Sequence, residues 1–405
     1  LGSPLETREE WGPALPEEGR ARRAALFVAD VSLTAFVFSS TVSITFEQVS
    51  IVVAFLAWSL SILLGARPGY KKGLLELSFA LLLVVQLVSS LFSSRMAASL
   101  FHMRDLFFIS VVYLFATLTR SEKRMKEFLF LFTAAATIMS VYGLSESAMG
   151  MDRIRATQST PLTFSGILGI AFALGFAFVL LGADRREKLI VAPQLALIGA
   201  AIVMSHSRSS WIAVFCALLF IGIVKKRKLI PVLLALVALV LLVSPTSVRS
   251  RAASIFDLNE PSNRMRIILL ESSPEVVKDH PIVGVGLIDL LPVFDEYVLP
   301  NVPEHLRGER LGHFHNNFVQ VAVQTGILGL TIFIFVLFNI VRSEWEGYRT
   351  AGDRFLESVS LGSLAAFVAF LVNGMFEYNF GDSEVIMLVW FTLGLSIASR
   401  RLSRC

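Results

Sequence analysis

Long apolar runs alternate with short polar segments along nearly the whole chain, and within each run the apolar residues are continuous rather than alternating. Runs of this kind approach the ~20 residues needed to cross a hydrocarbon core of ~30 Å. In lipid, only helices and closed barrels satisfy their own backbone, and barrel strands would alternate. The pattern therefore predicts an all-α polytopic membrane protein with about twelve transmembrane helices. The runs lie near 24–40, 48–65, 74–92, 105–118, 127–149, 161–182, 189–204, 209–224, 229–244, 316–341, 355–376 and 383–399. The fourth and the seventh to ninth are short, which leaves a count of eleven open.

These runs divide the chain into four parts. Residues 1–23 form a polar tail rich in Gly and Pro, and 24–244 carry helices one to nine. Residues 245–313 form one long polar loop, expected to be helical in part, and 314–405 carry helices ten to twelve and the C-terminus. The first apolar run is followed by further runs, so it does not read as a cleavable signal.

Charge supplies an orientation, because cytoplasmic loops of membrane proteins are enriched in Lys and Arg. With the N-terminus in the cytoplasm, 24 of the 36 basic residues fall in seven cytoplasmic segments, three or four to each. The outer segments hold the other 12, seven of them in the loop 245–313. Both termini are then cytoplasmic, as expected of a multi-pass protein of a bacterial inner membrane.

The same division separates residue types. All six histidines (His102, His206, His280, His305, His313, His315) fall on the outer side. So do Arg95, Arg104, Arg153, Arg155, Arg208, Arg249, Arg251, Arg264, Arg266, Arg307 and Arg310, against one outer lysine, Lys278. Guanidinium is a planar fork suited to phosphate, and imidazole titrates near neutrality. Any one of these residues reads equally well as loop surface; as a set they point to an anionic ligand on the outer face.

Four stretches concentrate that chemistry. In HFHNNFVQVAVQTGILGL, His313 to Leu330, Asn316, Gln320 and Gln324 recur every four residues and form one polar stripe at the start of an apolar helix. Such a stripe lines a wet cavity or bonds to neighbouring helices, and Gly326 and Gly329 permit close approach. In SNRMRIILLESSPEVVKDHPIVGVG, Ser262 or Asn263 would cap a short helix with Arg264 and Arg266 in its first turn, and Pro274 would kink it. A helix N-terminus with guanidinium is an anion site, and only one of two arginines spaced two apart points into it. SHSRSSW holds Arg208 in a tight outer turn between two helices, and FEYNFGDSEV holds Glu377 and Asp382 in another. Either carboxylate could orient a histidine or bind sugar hydroxyls.

Absences narrow the classes. The sequence contains no phosphate-cradling Gly-rich loop, dinucleotide fingerprint, HExxH or DxD-like cluster, so nucleotide-driven and metalloprotease chemistry are unsupported, as is nucleic-acid binding. Cys216 and Cys405 are the only cysteines and are expected to stay unpaired. His313 and His315 could ligate a metal, but no carboxylate or third histidine has suitable spacing in the sequence, so no metal site is expected. Charges inside the runs are few (Asp30, Glu76, Glu146), against the midplane ionisable sites of transporters and flippases.

HNNFVQVAVQTGILGL resembles the H-N-x9-G-x-x-G stretch of bacterial O-antigen ligases, and of the related O-antigen polymerases. R-x14-P-x-x-G-x-G from Arg266 to Gly286, the earlier SRSSW and the large loop before the tenth run follow in the same order. The resemblance covers the second half of the chain and implies a metal-independent, cofactor-free glycosyltransferase of the integral-membrane (GT-C-like) class. The implied donor is a glycan on undecaprenyl diphosphate and the acceptor a sugar hydroxyl of lipid A–core, joined in the periplasm during lipopolysaccharide biosynthesis. His315 matches the family's functional histidine. Arg208 and Arg266 would clamp the diphosphate, with Arg264 competing for the same motif position. His313, Asn316, Gln320 and Asp382 are the expected substrate-binding residues. Polymerisation of repeat units on the lipid carrier is the alternative, and a twelve-span transporter a more distant one.

Overall fold

The computed structural model describes residues 16–67, 73–288, 290–306 and 312–404. Most of the predicted tail, together with Lys71, Lys72, Arg307 and Arg310, lies outside the described residues.

Helices make up the fold, and no strand occurs among the described residues. Among the described residues, ten helices are long and apolar enough to cross a membrane. In chain order the helices are α1 (Pro16–Ser39), α2 (Ile44–Leu63), α3 (Leu74–Leu91), α4 (Met96–Leu118), α5 (Glu122–Ala148), α6 (Pro161–Gly182) and α7 (Arg185–Met204). There follow α8 (Arg208–Lys225), α9 (Leu229–Val243), α10 (Thr246–Ala253), α11 (Pro261–Asp279), α12 (Asn317–Arg349), α13 (Arg354–Asn373) and α14 (Ser383–Leu402). The ten spans leave out α1, which begins among arginines, and α9, which is apolar but only 15 residues long. Each of the twelve predicted runs corresponds to a helix, so the chain is an all-α polytopic membrane protein.

Helix ends follow the local sequence. Ser121, Asp184 and Asp353 accept the amide three residues on, and Thr160 does the same ahead of Pro161. The interior helices are α13 and α14: 83% of the most apolar window of α14 and 78% of that of α13 are buried, against 28% for α2 and α7. Interlocked rings fill the centre, with Phe115 and Phe391 edge to face at 4.7 Å. Outward-facing Phe27, Leu56, Leu63 and Phe338 stay exposed, as lipid contact requires.

Several boundaries differ from the sequence expectation. Helix α4 begins at Met96 and passes through a 3₁₀ stretch, Met103–Ile109. The charged pair Arg104 and Asp105 that marked its predicted edge sits 3.6 Å apart, with Arg104 over the Phe101 ring. Helix α2 starts at Ile44, which brings Glu47, wholly buried, inside it. Helix α12 runs to Arg349 and encloses Glu344, which accepts a hydrogen bond from Ser363. Both carboxylates had fallen outside the predicted runs. Asp30 pairs with Arg124 in the first turn of α5 at 2.9 Å, Glu76 accepts the Gly73 amide at the start of α3, and Glu146 accepts the amides of Arg155 and Ala156 at 2.9 Å.

The loop between α9 and α12 packs as a small layer of its own. Met265, Ile268, Leu269 and Val276 of α11 share a buried cluster with Phe294, Phe314 and Val323. Helix α11 is capped by Glu260, with Pro261 in its first turn, rather than by Ser262 or Asn263. It continues through Pro274 to Asp279, so the proline does not end it.

Helix α12 is interrupted at Gly326 (φ 67°, ψ −170°). The segment Pro281–Gly286 lies against that interruption, and Val285 and Gly286 donate to the carbonyls of Val323 and Gln324 at 3.0 and 2.9 Å. Ile327 donates to Pro281 O at 2.9 Å. A Cβ on Gly326 would run into Ile282, and one on Gly284 (φ 68°) into Gln324 and Thr325. The two glycine motifs of the sequence are thus the two halves of one backbone-to-backbone seam, and it fixes the loop over the first turns of α12.

Candidate active site

The seam leaves the segment just before α12 to form a tight turn. His315 takes a left-handed backbone (φ 47°), which costs a non-glycine residue ~1–3 kcal/mol and persists only where its surroundings impose it. Here they do. Gln320 accepts the Phe314 amide at 2.8 Å, and Asn316 caps α12 through the amides of Phe318 and Val319. Asn317 donates its amide to Gly374 O at 2.8 Å and its side chain to Asn379 at 2.6 Å. The turn 374–382 between α13 and α14 is thereby bound to the histidine turn.

That contact delivers Glu377. One of its oxygens lies 2.9 Å from His315 Nδ1, the other 3.2 Å from His313 Nε2. His315 donates its own amide to His313 Nδ1 at 3.3 Å, so the proton of a neutral His313 sits on Nε2, the nitrogen nearer Glu377. Burial pushes the His313 imidazole down to about 4, against the opposing pull of Glu377, so it is neutral at pH 7. Burial alone would raise the Glu377 carboxyl, but the hydrogen bond from His315, the two imidazoles and Arg266 hold it below the ordinary range. An ionised Glu377 then accepts from His315 Nδ1–H and leaves Nε2 with its lone pair outward, the tautomer a general base needs. The tautomer follows from the hydrogen-bond network.

The arginines approach from the other side. Arg266 donates Nε to Phe376 O at 2.9 Å, the residue before Glu377, and an η nitrogen to the Ser262 carbonyl and hydroxyl at 3.1 and 3.2 Å. Ser262 Oγ also accepts from Arg208 at 2.6 Å, so one hydroxyl joins both guanidiniums. Arg208 is only 8% exposed although its side chain is charged, and Glu260 compensates it at 2.8 Å. Arg264, two residues before Arg266, is exposed, and its side chain has no hydrogen-bond or ion-pair partner among the described residues. Of the two competing arginines, Arg266 is the one the helix turns inward.

The other expected site residues have local work. Gln320 and Asn316 shape the histidine turn, and Gln324 accepts from Tyr378 at 3.3 Å. The polar stripe on α12 thus meets backbone and side chains of the loop and of the turn 374–382. Asp382 accepts from Thr163 at 2.7 Å, and burial with the nearby Glu384 carboxylate raises its pKa. Asp382 bonds neither histidine; Glu377, its neighbour in the same turn, does. Sequence spacing could not separate them, because Glu377 reaches the histidines across 62 residues.

The expectation that no carboxylate accompanies the histidines is corrected by the same contact. His313, His315 and Glu377 each offer a ligand atom within 4.8 Å of one another, a set able to hold a metal ion. His315 is already hydrogen-bonded to Glu377, and His313 Nε2 lies 3.2 Å from its other oxygen, so an ion would displace both contacts.

Residues 193–334 match the family model of the O-antigen ligases. The matched part runs from within α7 to within α12 and is similar to that family. It contains Arg208, Glu260, Arg266, His313 and His315 and stops before Glu377. No curated protein matches the chain.

Proposed function

We propose that this chain, which matches the O-antigen ligase family model over residues 193–334, transfers a glycan from undecaprenyl diphosphate to a sugar hydroxyl of lipid A–core. The observation that carries the reading is the convergence of His315, oriented by Glu377, with Arg266 tethered to the same turn. His315 Nε2 takes the acceptor proton as the hydroxyl oxygen attacks the anomeric carbon. The carbon–oxygen bond to diphosphate breaks, and its electron pair leaves with the lipid diphosphate. Diphosphate is a good leaving group and needs charge stabilisation more than protonation; Arg266 and Arg208 supply it. Glu377 remains ionised and stabilises the imidazolium, as a buried carboxylate does behind a catalytic histidine. No metal takes part, and no nucleotide is consumed because the donor carries its own activation.

The positive-inside pattern supports a site on the periplasmic side of the inner membrane, with both termini in the cytoplasm. Polymerisation of repeat units is the second reading, because the same family match and the same base-and-clamp chemistry serve it. The test uses purified protein, a polyprenyl-diphosphate-linked glycan and lipid A–core, with and without EDTA. Glycan on lipid A–core supports the ligase, and longer polyprenyl-linked chains replace it with the polymerase. No covalent product sinks both readings, and activity lost to EDTA and restored by a divalent ion sinks the metal-free chemistry.

A further inference from the structure

The proposed diphosphate clamp contains a carboxylate where a phosphate belongs. Glu260 binds Arg208 through one oxygen at 2.8 Å and Arg251 through the other at 2.9 Å. Its first oxygen also accepts from Ser262 Oγ at 2.9 Å and from the Asn263 amide at 3.1 Å, as the cap of α11. Two guanidiniums, a hydroxyl and a helix N-terminal amide are the donors a phosphate group recruits. Four hydrogen bonds already occupy the two η nitrogens of Arg208, two to Ser254 and one each to Glu260 and Ser262. A guanidinium has five N–H donors, so Arg208 cannot grip a diphosphate here without releasing a partner.

The neighbourhood carries more positive charge than Glu260 answers. Arg266 joins the group through Ser262. Arg153 makes no hydrogen bond or ion pair among the described residues, and burial, then Arg251, Arg208 and Arg266, lower its pKa. His206, whose carbonyl accepts from Arg251 Nε at 3.3 Å, is buried with its Nε2 unpartnered among the described residues. Burial alone would raise the Glu260 carboxyl, yet hydrogen bonds from Arg208, Ser262 and Asn263 bring it down to about 2.

We propose that Glu260 is an internal stand-in for one phosphate of the donor, and that Arg251 is a third arm of the clamp, released to the diphosphate when Glu260 gives way. The proposal rests on the glycan-transfer reading for the identity of the lipid carrier, but its ligand is defined by the diphosphate alone. No bond is made or broken; one anion replaces another on the same donors.

The test measures binding of farnesyl diphosphate, farnesyl monophosphate and inorganic pyrophosphate to the purified full chain in detergent. Glu260→Gln keeps the capping oxygen and removes the charge, so it should tighten farnesyl diphosphate by about fivefold. Asp257→Asn, a nearby carboxylate bonded to Asn259 rather than to an arginine, controls for the general field and should shift it by less than about twofold. Arg251→Gln should weaken farnesyl diphosphate by about tenfold. It should also erode the preference over the monophosphate, which a merely structural role would not do. Unchanged or weaker binding in Glu260→Gln overturns the exchange, and an unaltered diphosphate preference in Arg251→Gln overturns the third arm even if the first variant fails to fold. Pyrophosphate binding as tightly as farnesyl diphosphate overturns the lipid-linked source. A protein that shows the exchange but forms no glycan product keeps this site and loses the glycosyl-transfer reading; the converse result separates them the other way.

Discussion

The histidine side and the arginine side of the site are held by different forces. His313, Phe314 and His315 are fixed by backbone: a left-handed residue, amides given to Gln320 and Gly374, and the glycine seam beneath. Arg208, Arg251 and Arg266 are fixed by charge and side-chain hydrogen bonds, around Glu260 and Ser262. The first arrangement has one well-determined geometry, as a base must have to meet a proton within hydrogen-bond reach. The second suits the proposed exchange of one anion for another, which a clamp would need when a product leaves. Buried charge pairs gain little net stability from their attraction because desolvation offsets it, so a charge-built clamp is suited to exchanging partners.

The sharpest way to break this comparison is at the base. His315→Ala should cut transfer by about 10²–10⁴-fold, the usual worth of a general base, with folded protein retained. Arg266→Lys should also be poor, because a point charge does not replace the fork. Glu377→Gln should cost roughly 10²-fold, because an amide can stabilise the wrong tautomer of His315. Transfer that survives Glu377→Gln intact would show that His315 does not depend on its carboxylate.

Gly326→Ala probes the backbone side. Its φ and ψ belong to a region that is essentially glycine-only, at ~1–3 kcal/mol for other residues, and the seam leaves no room for a methyl. Thermal unfolding in detergent should fall by several degrees, with activity lost alongside it. An unchanged melting temperature would mean that the loop is not held by this seam.

The smallest effect is on pH dependence. His313 has a folded pKa of about 4 against an ordinary 6.5, so the native state binds fewer protons than the unfolded chain between those values. Stability therefore rises with pH across that window and is lost as pH falls from 6.5 towards 4. His313→Gln keeps a donor for Glu377 without the titration, so its melting temperature should fall less between pH 7 and 5 than that of the unaltered protein. Parallel curves would refute the burial of a neutral imidazole there.

Much of the fold was legible in one dimension. The twelve apolar runs, their approximate ends and their division by a polar loop follow from the continuity of Leu, Val, Ile and Phe, because lipid leaves the backbone no alternative to helix. Charged residues misled at the edges: Arg104 and Asp105 shortened α4, and Glu47 and Glu344 lie inside helices that the charge pattern cut short. The spacing argument that Arg264 and Arg266 diverge was local, and so within reach of the sequence. Which of them faces inward was not, because that depends on where α11 packs against α12.

The sequence by itself determined the membrane class, the residue types available for chemistry and, over residues 193–334, the likeness to the O-antigen ligase family model. Tertiary structure alone decided that Glu377 rather than Asp382 stands behind His315, that Glu260 joins Arg208 to Arg251, and that the two glycine motifs are one seam. Each of these is a contact between segments separated by about forty residues or more, or a choice between neighbours in one turn. Periodicity fixes which face of a helix a residue occupies, but only packing fixes what that face meets.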